Sequence, residues 1–269
     1  MFSSASYMKV SSVYISHLHG DHFLGLPALV QSMGFNGREE RLRIFGPPGM
    51  AATMNAILGL GYFNPGFEIV AKDLEDGEVV AEGDFTVRAV AVEHTVPSLG
   101  YVLEGSQRPG RFNLEKAMEL GVPPGPLFGL LQEGREVEIN GRTITPSLVV
   151  GPPRRGLKFS ISGDTRPCQK FEEAAYCSDV LVHESTVTSD LIVNAKEYGH
   201  STARQAAELA KRAKVRSLYL YHISNRYDDP QALLDEARAI FADTYVAEDL
   251  MAIDVIGSEC EDPVDERSE

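Results

Sequence analysis

The sequence has few cysteines, no long apolar run and no surplus of positive charge. Cys168, Cys177 and Cys260 are an odd number without a CxxC pair, which argues against a disulfide framework and for a reducing, cytoplasmic setting. No stretch approaches the ~20 apolar residues of a membrane span. The N-terminal MFSSASYMKVSSVYIS also lacks the apolar core of a secretory signal. No membrane is expected as a partner. Basic residues number 25 against 39 acidic ones, a net charge of −14. That balance ordinarily speaks against nucleic acid, whose phosphates call for a basic surface. The charge is uneven, however. Residues 101–170 carry 10 basic and 7 acidic groups, whereas the last twelve, SECEDPVDERSE, carry 1 and 6. The stretch 258–269 therefore reads as a solvated, disordered tail.

What is present can build a core. A chain of 269 residues with 43% apolar content suits one large domain. Short apolar strands are predicted at Val13–Ser16, Leu42–Phe45, Phe85–Val92, Tyr101–Leu103, Leu157–Ile161, Val180–Val182, Ser217–Tyr221 and Met251–Val255. Helices are predicted over Phe23–Met33 and Met50–Leu58, from an N-cap at Ser201 through Lys211, and from Asp229-Pro230 to Phe241. The alternation implies an α/β or α+β domain over residues 1–257, with sheets covered by helices. Residues 105–146 hold many glycines and prolines around one short helix and one hairpin. A connection of that length inside a domain is usually functional, so an inserted arm is expected there.

The densest chemistry lies in Ser16-His17-Leu18-His19-Gly20-Asp21-His22, after a strand and before a helix. Alternate residues of an extended segment point one way, so His17 and His19 can share a metal. The turn into the helix swings Asp21 and His22 towards a second. Imidazole with carboxylate suits Zn²⁺ and tolerates Mn²⁺ or Fe²⁺. The plainer reading is a polar loop whose histidines cap the helix. It fits poorly with three of the chain's seven histidines falling within six residues. Three strand ends add candidates: His94 after the 85–92 strand, Asp164 in Ser162-Gly163-Asp164-Thr165, and His222 after Tyr221. One histidine at a strand end is more often structural. With the first cluster, though, the set closes on two ions: His17, His19, His94 and Asp164 around one, Asp21, His22, Asp164 and His222 around the other. Asp164 bridges.

In this order, the box, the distant histidine, the aspartate after glycine and the final histidine resemble the metallo-β-lactamase superfamily. Within it, the chain from about Val13 to Val255 is similar to the ribonuclease Z family of tRNA 3′ endonucleases. The strings SHLHGDHFLGLPALVQSM, RPGRFNLEKAMELGVPPGP, ISGDTRPC, LVHEST and GHSTARQAAELA carry that likeness. The resemblance implies an αββα sandwich, two sheets flanked by helices, with a protruding flexible arm. It also implies two Zn²⁺ per chain, a homodimer, and precursor tRNA as substrate. In that scheme a metal-bridging hydroxide attacks the phosphodiester and Asp21 orients the water and takes its proton. His200, held by Glu184, serves the departing 3′ oxygen, and the tRNA keeps a 3′ hydroxyl. On the arm, Arg108, Arg111 and Lys116 would meet phosphates. Gly121, Pro124, Gly125 and Pro126 would stiffen the tip and let RNA backbone come close. For any one of these cations a solvated surface charge is the plainer reading.

Two departures from the family stand out. Gly129-Leu130-Leu131-Gln132 puts leucines where the family often has lysine. Family members also usually begin with a glycine-rich strand and hairpin and an Asp-Cys-Gly-Glu-Gly-Thr string. Here the metal box starts at residue 17, so roughly the first 40 residues of such a protein are expected to be absent, leaving a sheet with an unpaired edge. Two rival functions follow. One is a small-molecule phosphodiesterase or other hydrolase on the same scaffold; the other is an inactive, truncated RNA-binding fragment.

Overall fold

The computed structural model describes residues 6–62, 64–255, 257 and 260. Apart from Cys260, the tail expected over 258–269 lies outside the described residues. The chain divides into two compact units, one made of residues up to Glu104 together with those from Lys158, the other of Gly105–Leu157.

The first half supplies β1 (Ser12–Tyr14), α1 (Gly20–Phe23), α2 (Gly25–Phe35), β2 (Leu42–Gly46), α3 (Met50–Leu58) and β3 (Ile69–Asp73). It continues with β4 (Val79–Glu82), β5 (Phe85–Val92) and β6 (Ser98–Gly105). Between Gly105 and Leu157 come α4 (Leu114–Glu119), α5 (Pro126–Gln132), β7 (Val137–Ile139) and β8 (Arg142–Ile144). The remainder holds β9 (Lys158–Ile161), α6 (Gln169–Ala174), β10 (Val180–Glu184) and α7 (Ile192–Tyr198). Last come α8 (Ala203–Arg212), β11 (Leu218–Tyr221), α9 (Gln231–Arg238) and β12 (Thr244–Val246).

In the first unit, β1, β2 and β3 form a parallel sheet in that order, with β1 at its edge. A pocket of about 600 Å³ opens beside β1, with Tyr14, Phe85, Val87 and Tyr101 among its walls. The larger sheet has the order β12-β11-β10-β9-β6-β5-β4, parallel from β12 to β9 and antiparallel from β9 to β6 and from β5 to β4. Apolar spacing decides what each element buries. On α2, Leu26, Val30 and Met33 face inward and pack with Ile44, Met50 and Met54 of β2 and α3. On α8, Ala203, Ala206, Ala207 and Ala210 make a small-residue face that packs with Phe171, Leu218 and Leu233. Between the sheets lie Phe45, Leu74, Val87, Ala89, Leu99 and Tyr101. The result is helices, sheet, sheet, helices, the sandwich that the family resemblance implies.

Residues 105–157 are more than a loop. Ala117, Val122, Leu131, Val137, Ile144 and Val149 form a core of their own. Proline at the first turn opens α5, a helix that the glycines and prolines hide in the sequence. The leucines of 129–132 are explained by this core, since Leu131 is fully buried and Leu130 packs against it. The unit closes where the Arg108–Arg154 and Phe112–Val150 bridges zip its two ends together.

Several local expectations need correcting. The 23–33 helix is two helices, α1 and α2, meeting at Leu24. Ser201 does not cap α8. Its hydroxyl donates to the Thr165 carbonyl, and the neighbouring Thr202 caps the helix through a reciprocal pair of bonds with Gln205. Met251–Val255 is not a strand; the last strand is Thr244–Val246, where Leu218 N–H donates to Asp243 and Ala247 N–H to Leu220. Finally, Cys177 and Cys260, 83 residues apart in sequence, are joined in a disulfide with Cα atoms 5.8 Å apart, which leaves Cys168 a buried free thiol. The odd count and the lack of a CxxC pair speak against a framework of bridges, yet one long-range bridge needs neither. Among the described residues no helix is long and apolar enough to cross a membrane.

Candidate metal centre

The site lies in the first unit, on loops that leave strands of both sheets. His17 and His19 follow β1, and His19 is the N-cap residue of α1, so Asp21 and His22 fall in that helix's first turn. His94 follows β5, Asp164 follows β9 and His222 follows β11. Ligand atoms of His17, His19 and His94 lie within 4.8 Å of one another. So do those of His17, His22 and Asp164, of Asp21, His22 and His222, and of Asp164, His200 and His222. All seven residues expected to hold metal thus meet in one place. Asp164 lies among three of the histidines: its Oδ2 lies 3.8 Å from His17 Nε2, 3.3 Å from His22 Nε2 and 3.3 Å from His222 Nε2.

Two glycines make this geometry possible. Gly163 has φ +63°, and a Cβ there would sit 2.9 Å from both Leu99 O and Ser16 Cβ. The loop carrying Asp164 can therefore lie against the one that leads into the histidine box only with glycine at this position. Gly199 has φ +83°, and its Cβ would come within 2.7 Å of His94 Nδ1. Its carbonyl accepts the hydrogen bond from that nitrogen, at 2.8 Å.

The hydrogen bonds set the tautomers. A carbonyl can only accept, so His94 carries its proton on Nδ1 and turns the Nε2 lone pair to the site. His222 has φ +54°, a left-handed conformation that costs a non-glycine residue about 1 kcal/mol. Strain of this kind persists only where surrounding structure imposes it. His200 Nδ1 donates to Glu184 Oε1 at 2.9 Å, and the Glu184 side chain is fully buried. Glu184 and His200 are therefore paired and adjoin the histidine cluster: the His200 ring lies 5.1 Å from that of His94 and 5.2 Å from that of His222. Three further residues support the pair in roles the sequence did not show: Thr165, whose N–H donates to Glu184 Oε1, Thr186, whose hydroxyl donates to Oε2, and Ser201, whose hydroxyl donates to the Thr165 carbonyl. Their signal is adjacency alone, since each sits one or two residues from a singled-out acid or histidine.

Electrostatics follow the same lines. Burial opposes ionisation of Asp164 by raising its pKa, but the His22 hydrogen bond and the His222 ring outweigh it and hold the carboxyl near about 2. The hydrogen bond to Asp164 in turn raises His22, against its burial. Burial pushes His17 down to about 4, with the neighbouring His22 acting the same way. Burial also lowers His94, despite its bond to Gly199. His200 follows His22 in being raised. Burial works against its charged form, yet the bond and charge of Glu184 raise it above the ordinary histidine value. The shifts favour the neutral form at His17 and His94, the form that ligates, and the protonated form at His22 and His200. His183 takes no part; it is fully buried beside Phe171 with its Nδ1 against the Glu184 carbonyl.

The fit to metal can be judged from the donors themselves. His17 Nε2 and Asp164 Oδ1 are buried and have no hydrogen-bond partner, a costly state for polar atoms that a cation would relieve. Nitrogen and carboxylate donors converging at this spacing are capable of binding metal.

Comparison with known proteins agrees with this architecture. A family model described as a beta-lactamase superfamily domain matches residues 3–112. The chain is 47% identical over 256 residues to Ribonuclease Z of Methanosarcina mazei, covering 95% of this chain and 84% of that protein. It is 45% identical over 231 residues to Ribonuclease Z of Myxococcus xanthus, covering 85% and 75%. The chain belongs to the ribonuclease Z family. Its fold is the metallo-β-lactamase fold of that family, and the crystal structure of the human tRNase Z short form shares it, with a TM-score of 0.65 at 22% identity over 94% of this chain and 82% of that one.

The residues that the ribonuclease Z resemblance places on the arm lie in the second unit. Arg108, Arg111, Lys116, Gly121, Pro124, Gly125 and Pro126 are all exposed. Arg111, Asn113, Lys116 and Ser147 share the wall of an open pocket of about 600 Å³ there. Gly121 follows α4 with φ +80° and Gly125 precedes α5 with φ +145°.

Proposed function

We propose that this chain is a metal-dependent endoribonuclease that cleaves precursor tRNA at its 3′ end, leaving a 3′ hydroxyl on the tRNA. One observation carries the reading. A cluster of His and Asp donors with orphaned buried atoms lies beside His200, which is hydrogen-bonded to the buried Glu184, in a ribonuclease Z family chain. Two zinc ions, held by His17, His19, His94 and Asp164 and by Asp21, His22, Asp164 and His222, would supply Lewis acidity and a water of lowered pKa.

The side chains divide the remaining work. Asp21 is the exposed member, its side chain 72% accessible and 3.4 Å from His22. It is placed to accept a proton from the attacking water. His200 is held through Nδ1 by Glu184, which leaves Nε2 for the departing 3′ oxygen as the P–O3′ bond breaks. Against its burial, the bond and charge of Glu184 raise its pKa, which favours the protonated form that can donate there. Glu184 touches neither substrate nor water in this scheme and acts by orienting His200. Substrate affinity is assigned to Arg108, Arg111 and Lys116, with Gly121, Pro124, Gly125 and Pro126 shaping the surface between them. A homodimer belongs to the same proposal and rests on the ribonuclease Z resemblance alone.

The test is Asp164→Ala in zinc-supplemented buffer. Cleavage of a precursor tRNA should fall below detection, while circular dichroism shows the fold retained. Cleavage at the unaltered rate would remove Asp164 from the centre, and hydrolysis of small phosphodiesters with no action on tRNA would favour the rival hydrolase.

A further inference from the structure

Glu184 has more partners than a histidine-orienting carboxylate requires. Oε1 accepts from His200 Nδ1 at 2.9 Å and from Thr165 N–H at 2.8 Å. Oε2 accepts from the Thr186 hydroxyl at 2.8 Å and from Thr186 N–H at 3.3 Å. The Thr186 oxygen also lies 3.1 Å from His222 Nδ1. A hydroxyl has one proton, and a carboxylate can only accept. The Thr186 proton is therefore committed to Glu184, and towards His222 its oxygen must be the acceptor. That fixes the proton of His222 on Nδ1 and leaves Nε2, which is 3.3 Å from Asp164 Oδ2, with its lone pair turned into the cluster.

The backbone around Thr186 is tied to the same loop from both sides. Ser185 N–H donates to Tyr221 O, and Ser224 N–H donates to Thr186 O. These bonds bracket His222, whose φ of +54° is otherwise unfavourable. A hydroxyl held by a buried carboxylate is thus set against the imidazole that the strained backbone delivers.

We infer that Thr186 is a positioning residue for the metal centre: its hydroxyl relays the fully buried Glu184 carboxylate to His222, fixing the metal-facing tautomer of His222, so that one carboxylate orients both the proton-handling histidine and a metal ligand. This rests on the metal reading above. It adds that the centre's second ion depends on a residue that touches no metal.

Two measurements test it. In the zinc-loaded chain, ¹⁵N NMR of the histidine side chains should find the His222 proton on Nδ1, and a proton on Nε2 overturns the inference without any variant. Zinc affinity is then measured by competition with a chromophoric chelator for wild type, Thr186→Val and Thr186→Ser. The isosteric valine should weaken one ion by roughly 10- to 100-fold, the range for loss of such outer partners, and leave the other ion unchanged. Serine should restore binding to within about threefold, and kcat on precursor tRNA should fall in the valine variant with KM little altered. Wild-type affinity in Thr186→Val, or failure of a folded Thr186→Ser to recover, contradicts the relay. A wild-type chain that binds no zinc sinks the metal reading and the relay together, which separates that failure from one confined to Thr186.

Discussion

At the scale of single residues, the site's stability without metal hangs on Asp164. Its carboxyl is held near about 2 against an ordinary 3.8, a depression worth about 2 kcal/mol of folding free energy. The sign follows from the direction. A lowered carboxyl stabilises the native state above the unfolded value of 3.8, and the contribution is lost as pH falls through about 2. Its partner His22 is raised above 6.5, so its share is full below that value and is lost as pH climbs through the raised one. In the chelator-treated chain the pair should therefore stabilise most between about pH 4 and 6.5. Urea unfolding of the metal-free wild type and Asp164→Asn at a series of pH values checks this. The difference between them should fade from pH 5 towards pH 2, and a constant difference would remove Asp164 from the account. Such residues were legible because the chain has only seven histidines, which makes HLHGDH conspicuous, and because glycine at a strand end marks the aspartate of SGD. Thr186 and Thr165 were not, because a threonine looks alike whether it relays a carboxylate or faces water.

At the scale of elements, periodic burial was readable and end chemistry was not. The Phe85–Val92 strand has the bounds that its pattern predicts, because alternation is set by which face is covered. The start of α8 shows the opposite case. Ser201 and Thr202 are equally good caps by type, and the choice was made by a partner 36 residues away, the Thr165 carbonyl that takes the Ser201 hydroxyl. Thr202 then closes a capping box with Gln205. Thr202→Ala should cost about 1 kcal/mol, read as a shift of the urea midpoint with no change in slope, and Thr202→Ser should recover most of it. An unaltered midpoint in the alanine variant would mean that the small-residue face of α8, not its cap, fixes the helix. The Met251–Val255 reading failed for a related reason. Four of its five residues are apolar, yet hydropathy cannot show that the free edge of β11 is already taken by Thr244–Val246.

At the scale of the whole molecule, the acidic balance and the RNA substrate are reconciled by how charge divides between the units. Residues 105–157 carry 7 basic and 5 acidic groups, so the rest of the chain accounts for −16 of the total −14. The apolar clusters divide in the same way, since the core of 105–157 contains no residue from outside it. Removal of residues 106–156 is therefore expected to leave the first unit folded. The cut ends can be rejoined by a short glycine link, because Gly105 N–H already donates to Leu157 O at 2.8 Å. The metal cluster lies wholly in what remains. The shortened chain should still bind zinc and hydrolyse a small phosphodiester such as bis-p-nitrophenyl phosphate within a few-fold of wild type. Its kcat/KM on precursor tRNA should collapse through KM. Salt dependence gives an independent reading. Each phosphate contact contributes roughly 0.9 to the slope of log affinity against log salt, so loss of Arg108, Arg111 and Lys116 should flatten that slope by about 2 to 3. If tRNA is bound and cut as before, with the slope unchanged, those cations are ordinary surface charge and recognition belongs to the metal-bearing unit.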